Sequence, residues 1–144
     1  MVWWHQLSDE VELPVRFQIP RGYSEYGKSA QYNLICLKID ESTNFLEWFM
    51  EFEERLIGPD KRPVDSRVKG EILNIKYVDG FTQVFDLHDK FLLDGVQTFA
   101  NCHLDCLVEV DKVYGPLGEN SAYGITCKIF QVRVVPVEPV CLFT

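Results

Sequence analysis

Ala122-Tyr-Gly-Ile-Thr-Cys-Lys-Ile-Phe-Gln-Val-Arg-Val-Val135 is the stretch on which the fold turns. Its apolar and polar residues alternate, which predicts one long strand. The phase of that alternation changes part-way. Tyr123, Ile125, Cys127 and Ile129 fall on odd positions, whereas Phe130, Val132 and Val134 fall on even ones. A phase change inside one strand predicts a bulge or a sharp coil, a device that lets a sheet curve towards closure. Just upstream, Leu104–Tyr114 reads as a second strand with Cys106, Val108 and Val110 on one face, joined to the first by the loop Gly115–Ser121. Pro136 and Pro139 end the regular structure, and the apolar tail Val140–Thr144 is expected to dock on the domain or on a partner.

Towards the N-terminus, Val68–Tyr77 and Phe81–Phe85 read as two strands joined at Asp79-Gly80, a strong hairpin signal. His88–Phe99 has room for a short strand, with a turn at Asp94-Gly95. Tyr32–Ile39 is a further strand, ending at the polar cluster Asp40-Glu41-Ser42-Thr43-Asn44. Asn44 with Glu47 three residues on has capping-box spacing, and Ser42 is an alternative cap. Phe45, Trp48, Phe49, Phe52 and Leu56 then recur at three- and four-residue steps, with Leu46, Met50 and Ile57 widening the stripe. This is an amphipathic helix that Gly58-Pro59 stops. Val11–Ile19 is a short strand that Pro14 confines to an edge or bulge. Gly22, Ser24, Gly27 and Ser29 make Arg21–Gln31 read as a loop. The expected fold is mainly β, with six or seven strands and one main helix, in a single domain over residues 1–144. With no repeated βαβ rhythm, an OB-like Greek-key β-barrel fits best, and a mixed α+β sheet covered by the helix is the alternative.

No apolar run approaches the length of a membrane helix, and the first residues lack the pattern of a secretory signal. Cys36, Cys102, Cys106, Cys127 and Cys141 are odd in number, and three lie in apolar runs. Free thiols in an intracellular, reducing compartment are the simplest account. The net charge of −8 argues against nucleic acid if taken as a sum. Its distribution matters more. Glu41, Glu47, Glu51, Glu53 and Glu54 lie in or beside the helix, whereas the next segment carries Arg55, Lys61, Arg62, Arg67, Lys69 and Lys76 against Asp60, Asp65 and Glu71.

No nucleotide-cradling loop, zinc-protease motif or nucleophile elbow is present. Cys102-His103-Leu104-Asp105-Cys106 holds metal-binding residue types, but a structural zinc site wants a second matched pair, so no cofactor or metal is expected. Asp86, Asp89, Asp105, Glu109 and Asp111 keep a metal-dependent nuclease as a third reading. Single-stranded nucleic acid needs a basic groove with aromatic platforms for its bases. The 68–85 region supplies Lys76, Tyr77 and Phe81, led by Lys61, Arg62, Arg67 and Lys69. Arg21, Tyr23, Tyr26 and Lys28 form a second basic and aromatic group, and Trp3 and Trp4 a third set of platforms. Trp48, Phe45, Phe49 and Phe52 belong to the core by their helical spacing.

Cys106-Leu-Val-Glu-Val-Asp-Lys-Val-Tyr114, a gap, then Tyr123-Gly-Ile-Thr-Cys-Lys-Ile-Phe-Gln-Val132 resembles the two terminal barrel strands of a known group. With the order of elements over residues 32–135, the chain looks like the OB-fold single-stranded-DNA-binding proteins of large DNA viruses and some phages. The resemblance implies non-catalytic coating of single-stranded DNA, with RNA as the alternative, during replication or recombination. It also implies replication-protein partners and places Lys112, Tyr123 and Lys128 in a groove by position. Members often end in an acidic tail, whereas Val135–Thr144 has a single acid, Glu138. Either partner recruitment falls to the acidic helix face, or the chain belongs to a different branch. A second reading is a docking module that acts through that helix and the apolar tail, as a homo-oligomer.

Overall fold

Two long strands, β8 (Ala100–Leu117) and β9 (Ala122–Pro136), form the antiparallel spine of this computed structural model, which describes residues 2–92, 99–118 and 121–137. The remaining strands are β1 (Val15–Gln18), β2 (Gly22–Lys28), β3 (Leu34–Ile39), β4 (Val68–Lys69), β5 (Ile72–Lys76), β6 (Gln83–Phe85) and β7 (Phe91–Leu92). The fold is mostly β with one main helix, α1 (Phe45–Ile57). Antiparallel pairing links β8 to β2, β2 to β3 and β3 to β5. Strand β5 then meets β9 in parallel, and β9 returns to β8, so this series of pairings closes on itself. Strands β1 and β6–β7 extend the sheet from β8 and β9 respectively. The Asp94-Gly95 turn and the tail Val140–Thr144 lie outside the described residues.

The phase change in the opening stretch is a real irregularity. Leu107 stands opposite Gln131 and Val108 opposite Ile129, so Phe130 is an extra residue on β9. Ile125, Cys127, Ile129 and Val132 point into the core, and Phe130 is left half-buried on the other side. Two glycines explain why β2 escapes sequence reading and corrects the expected loop at Arg21–Gln31. The inward positions of β2 are Gly22, Ser24 and Gly27, too small to show an apolar alternation. A Cβ at Gly22 would lie 3.0 Å from the Leu37 Cβ, and Gly27, at φ 76°, sits where the β2–β3 register shifts.

The helix begins and ends where its periodicity says, but its cap differs from the expected box. Asn44 is left-handed (φ 59°) and makes no side-chain cap bond. Asp40 instead accepts from Ser42 N–H in the turn before it, and Thr43 Oγ1 accepts from Phe45 N–H at 3.2 Å. The helix buries Phe45, Leu46, Phe49, Phe52 and Ile57. Trp4, Phe17 and Trp48 complete this aromatic cluster: Trp48 stacks on Phe52 at 5.0 Å, and Trp4 meets Phe45 at 5.3 Å edge-on. Trp4 is thus packing rather than a platform. Among the helix acids Glu53 faces inward, where its carboxylate accepts from the Ser66 hydroxyl and from Arg67 N–H at 2.8 Å.

The expected hairpin at Asp79-Gly80 is overturned. The turn exists, with Phe81 and Thr82 N–H both donating to the Val78 carbonyl. Its flanking strands do not pair with each other, because both lie along β9: Lys76 stands opposite Lys128, and Gln83–Phe85 opposite Gln131–Arg133. Pairing with β9 keeps Ile75 and Val84 buried. The tight local hairpin is β4–β5, turning at Gly70 (φ 63°).

Candidate nucleic-acid interface

Pairing register sets four outward residues side by side across four strands. Arg16 on β1 stands opposite Glu109 on β8, Glu109 opposite Lys128 on β9, and Lys128 opposite Lys76 on β5. Glu109 is nearly buried, with Arg16 Nε at 2.9 Å and Lys128 Nζ at 3.4 Å. Asp111 takes the other side of Lys128 at 3.3 Å and accepts from the Thr126 hydroxyl. Thr126, then Lys128, holds Asp111 below the usual carboxylate range. Burial works against the Lys128 charge, but Asp111 and Glu109 outweigh it and raise the ammonium above its ordinary value.

A groove of ≈ 360 Å³ runs beside this row and collects Arg67, Lys76, Lys112, Lys128 and Tyr114. Arg67 donates to Asp65 at 2.6 Å and to the Tyr114 hydroxyl at 3.2 Å, and its buried Nε has no partner among the described residues. Tyr114 lies over Gly124, where a Cβ would collide with its ring. That explains the glycine in the opening stretch. Beyond Lys128 the row ends in two half-buried aromatic rings, Phe81 and Phe130, with centroids 5.5 Å apart. The Lys128 ammonium lies 4.4 Å from the Phe81 centroid, and the Arg16 guanidinium 3.7 Å from that of Phe130. Thr82 fixes Phe81 there, because its hydroxyl donates to the Ile129 carbonyl at 2.7 Å.

A solved structure has this fold. The crystal structure of gp2.5, a single-stranded DNA binding protein encoded by bacteriophage T7, matches with a TM-score of 0.61. The match covers 89% of this chain and 90% of that one, at 12% sequence identity. No family profile and no curated protein sequence matches the chain.

The structure brings together only part of the expected set. Arg67, Lys76, Lys112 and Lys128 line the groove, and Phe81 stands at its end. Lys61 and Tyr123 lie together nearby, 6.0 Å from ammonium to ring, where Val64 bridges Tyr123. Arg62 and Lys69 are exposed and face Glu54 (3.5 Å) and Asp65 (3.6 Å). Tyr77 is a correction: it is 5% exposed against Phe99, so it is core rather than platform, and Lys28 covers the ring at 4.6 Å. Arg21 lies outside the groove lining, where Asp105 holds it by two bonds of 2.8 and 2.9 Å. Those bonds raise the guanidinium above its ordinary value. Tyr23 is half-buried, bonded to Asn101 and beside His103. Tyr26, at 83% exposed, is on β2 and apart from the groove lining.

Arg16, Tyr114 and Phe130 escaped sequence reading. Arg16 alternates outward from Phe17, which would have shown it, but Pro14 hid the strand's pairing. Phe130 shares the even phase of the buried Val132, and only the bulge between Ile129 and Gln131 sets it on the other face. The Cys102–Cys106 segment splits across the sheet: both thiols are buried, and burial raises both above the usual thiol value. His103 and Asp105 lie on the other face, so the five residues do not converge.

Proposed function

We propose that this protein binds single-stranded nucleic acid, DNA in the first instance, along the groove between β5, β8 and β9. The observation that carries the reading is the convergence of Arg67, Lys76, Lys112 and Lys128, against Asp111 alone among the acids, on one groove in a chain of net charge −8. Phosphates need that local field whatever the overall sum. Phe81 and Phe130 supply faces on which bases stack beside the cations. The closed series of pairings is read as an OB-type barrel, whose second and third strands and flanking loops are the usual oligonucleotide surface. Strands β3 and β5 hold those places here, and the fold of the T7 protein accords with it. The role is non-catalytic: Glu109 and Asp111 are committed to Arg16 and Lys128 rather than set around a vacant point. Coating of single strands during replication or recombination, with replication proteins as partners, follows from this reading. The buried thiols fit a reducing, intracellular setting.

The test is fluorescence anisotropy of labelled oligo-dT and a matching duplex at two salt concentrations. The reading expects preference for the single strand and affinity that falls steeply with salt. Absence of binding at low salt overturns it.

A further inference from the structure

The outer face continues past Phe130 into a second concavity of different chemistry. One residue on, Gln131 opens a row set by the same register. Gln18 on β1 and Gln131 on β9 both stand opposite Leu107, and Gln131 stands opposite Gln83 on β6. Gln131 Nε2 donates to Gln83 Oε1 at 2.9 Å, so two carboxamides orient each other. A pocket of ≈ 360 Å³ opens here, lined by Gln18, Gln131, Phe85, Arg133, Asp89 and Asp105. Arg133 lies between those acids at 2.9 and 3.0 Å, and Asp105 also holds Arg21. Burial would push the Asp105 carboxyl up, but the bonds from Arg21 and Arg133 bring it below its ordinary value.

A phosphate entering this pocket would meet two carboxylates whose counter-charges are already engaged. A neutral, planar, polar group meets no such penalty. Phe85 offers it a face, itself steadied by Phe91 at 5.7 Å. The linked amides keep further donor and acceptor capacity, since a carboxamide has two N–H groups and two lone pairs. Adjacent donor and acceptor sites are what a base edge presents. Three residues of strand separate Lys128 from Gln131, at most about 10 Å at ~3.3 Å per residue. A strand held at Lys128 and stacked at Phe130 is thus delivered directly to the pocket.

We propose that this pocket takes one unstacked nucleobase of the bound strand, its face on Phe85 and its edge on the carboxamides of Gln18 and Gln131, with Gln83 orienting Gln131 through the bond between their amides. The proposal rests on the single-strand reading above and adds base selectivity to a surface otherwise built for phosphates. The experiment measures affinities of the full chain for 8-mers of dT, dC and dA, with wild type beside Gln83→Ala/Gln131→Ala and Gln18→Ala. Far-UV circular dichroism confirms folding of each. The expected result is a spread of about fivefold or more among the oligomers for wild type, the low end of what a bidentate amide–base contact gives. That spread collapses in the double variant, shrinks in Gln18→Ala, and the dependence on salt persists in both. Equal affinities in wild type, or a spread unchanged in Gln18→Ala and in a folded double variant, overturn the pocket and leave the groove standing. No binding of any oligomer overturns both.

Discussion

Two groups of aromatic rings sit on opposite sides of the sheet and differ in what surrounds them. Phe17, Phe45, Phe49 and Phe52 are buried and touch other rings around α1. Phe81 and Phe130 are half-buried and touch cations, Lys128 and Arg16. The first group removes apolar area from water, and the second keeps a face available beside positive charge. The aromatic content of 13% therefore has two causes, which composition alone merges. Position relative to the strand phase separates them.

The sharpest way to break this contrast is to truncate one ring from each group. Phe52→Ala should destabilise the fold by about 3–5 kcal/mol, as loss of a buried aromatic side chain does, measured by urea unfolding. Phe81→Ala should leave the urea midpoint nearly unchanged and weaken oligo-dT binding by about 1–3 kcal/mol, the worth of one stacked base. If Phe81→Ala lowered stability as much as Phe52→Ala and left affinity unaltered, the two groups would be one core.

Removing charges sharpens the contrast at smaller amplitude. Lys76→Ala and Lys112→Ala should each lower the slope of log affinity against log salt by about 0.7, one phosphate contact on a single strand. Arg21→Ala, whose charge Asp105 already answers, should leave that slope in place. Glu109→Gln frees Arg16 and Lys128 of their shared counter-charge, so binding at low salt should tighten, read by the same anisotropy titration.

The smallest effect lies on the helix side. Burial raises the Glu53 carboxyl above its ordinary 4.5, against the opposing bonds from Ser66 and Arg67. A raised acid binds more protons folded than unfolded, so its contribution to stability declines as pH rises from 4.5 through the folded value. Glu53→Gln removes that decline. Urea midpoints between pH ~4.5 and ~7.5 should therefore move in favour of the variant as pH increases. Parallel curves for the two proteins would contradict the burial argument.

Legibility in the sequence follows the same division between local and distant causes. Helix α1 was readable to the residue, because its stripe and Gly58-Pro59 are local signals. Strand β9 was readable, bulge included, because a phase change is visible within one segment, but of β8 only Leu104–Tyr114 was, since the strand runs on to Leu117 into the expected loop Gly115–Ser121. Strand β2 was hidden, since its inward residues are small for the sake of a distant neighbour, Leu37. The Asp79-Gly80 turn was read correctly and its strand partners wrongly, because turn chemistry fixes a bend but not what lies alongside. At the site, Lys76 could be named from type and spacing, and Lys112 and Lys128 only from the resemblance of the two terminal strands. That Arg21 is neutralised by Asp105, 84 positions away, could not.

The closure of the ring has a consequence of its own. Strand β5 meets β9 in parallel at Lys76 and Lys128, where two like charges face each other across the last pairing. Every other pairing in the ring is antiparallel. This seam has a single paired position, where every other pairing in the ring has four or more, so it is the thinnest join of the ring. Glu109 and Asp111 answer the Lys128 charge there, whereas Lys76 faces it from across the seam. On the proposed reading, a polyanion laid across the seam bridges the two strands at Lys76 and acts as a clasp. By mass action, the melting temperature should then climb with oligonucleotide concentration, and the ligand becomes the final structural part of the ring.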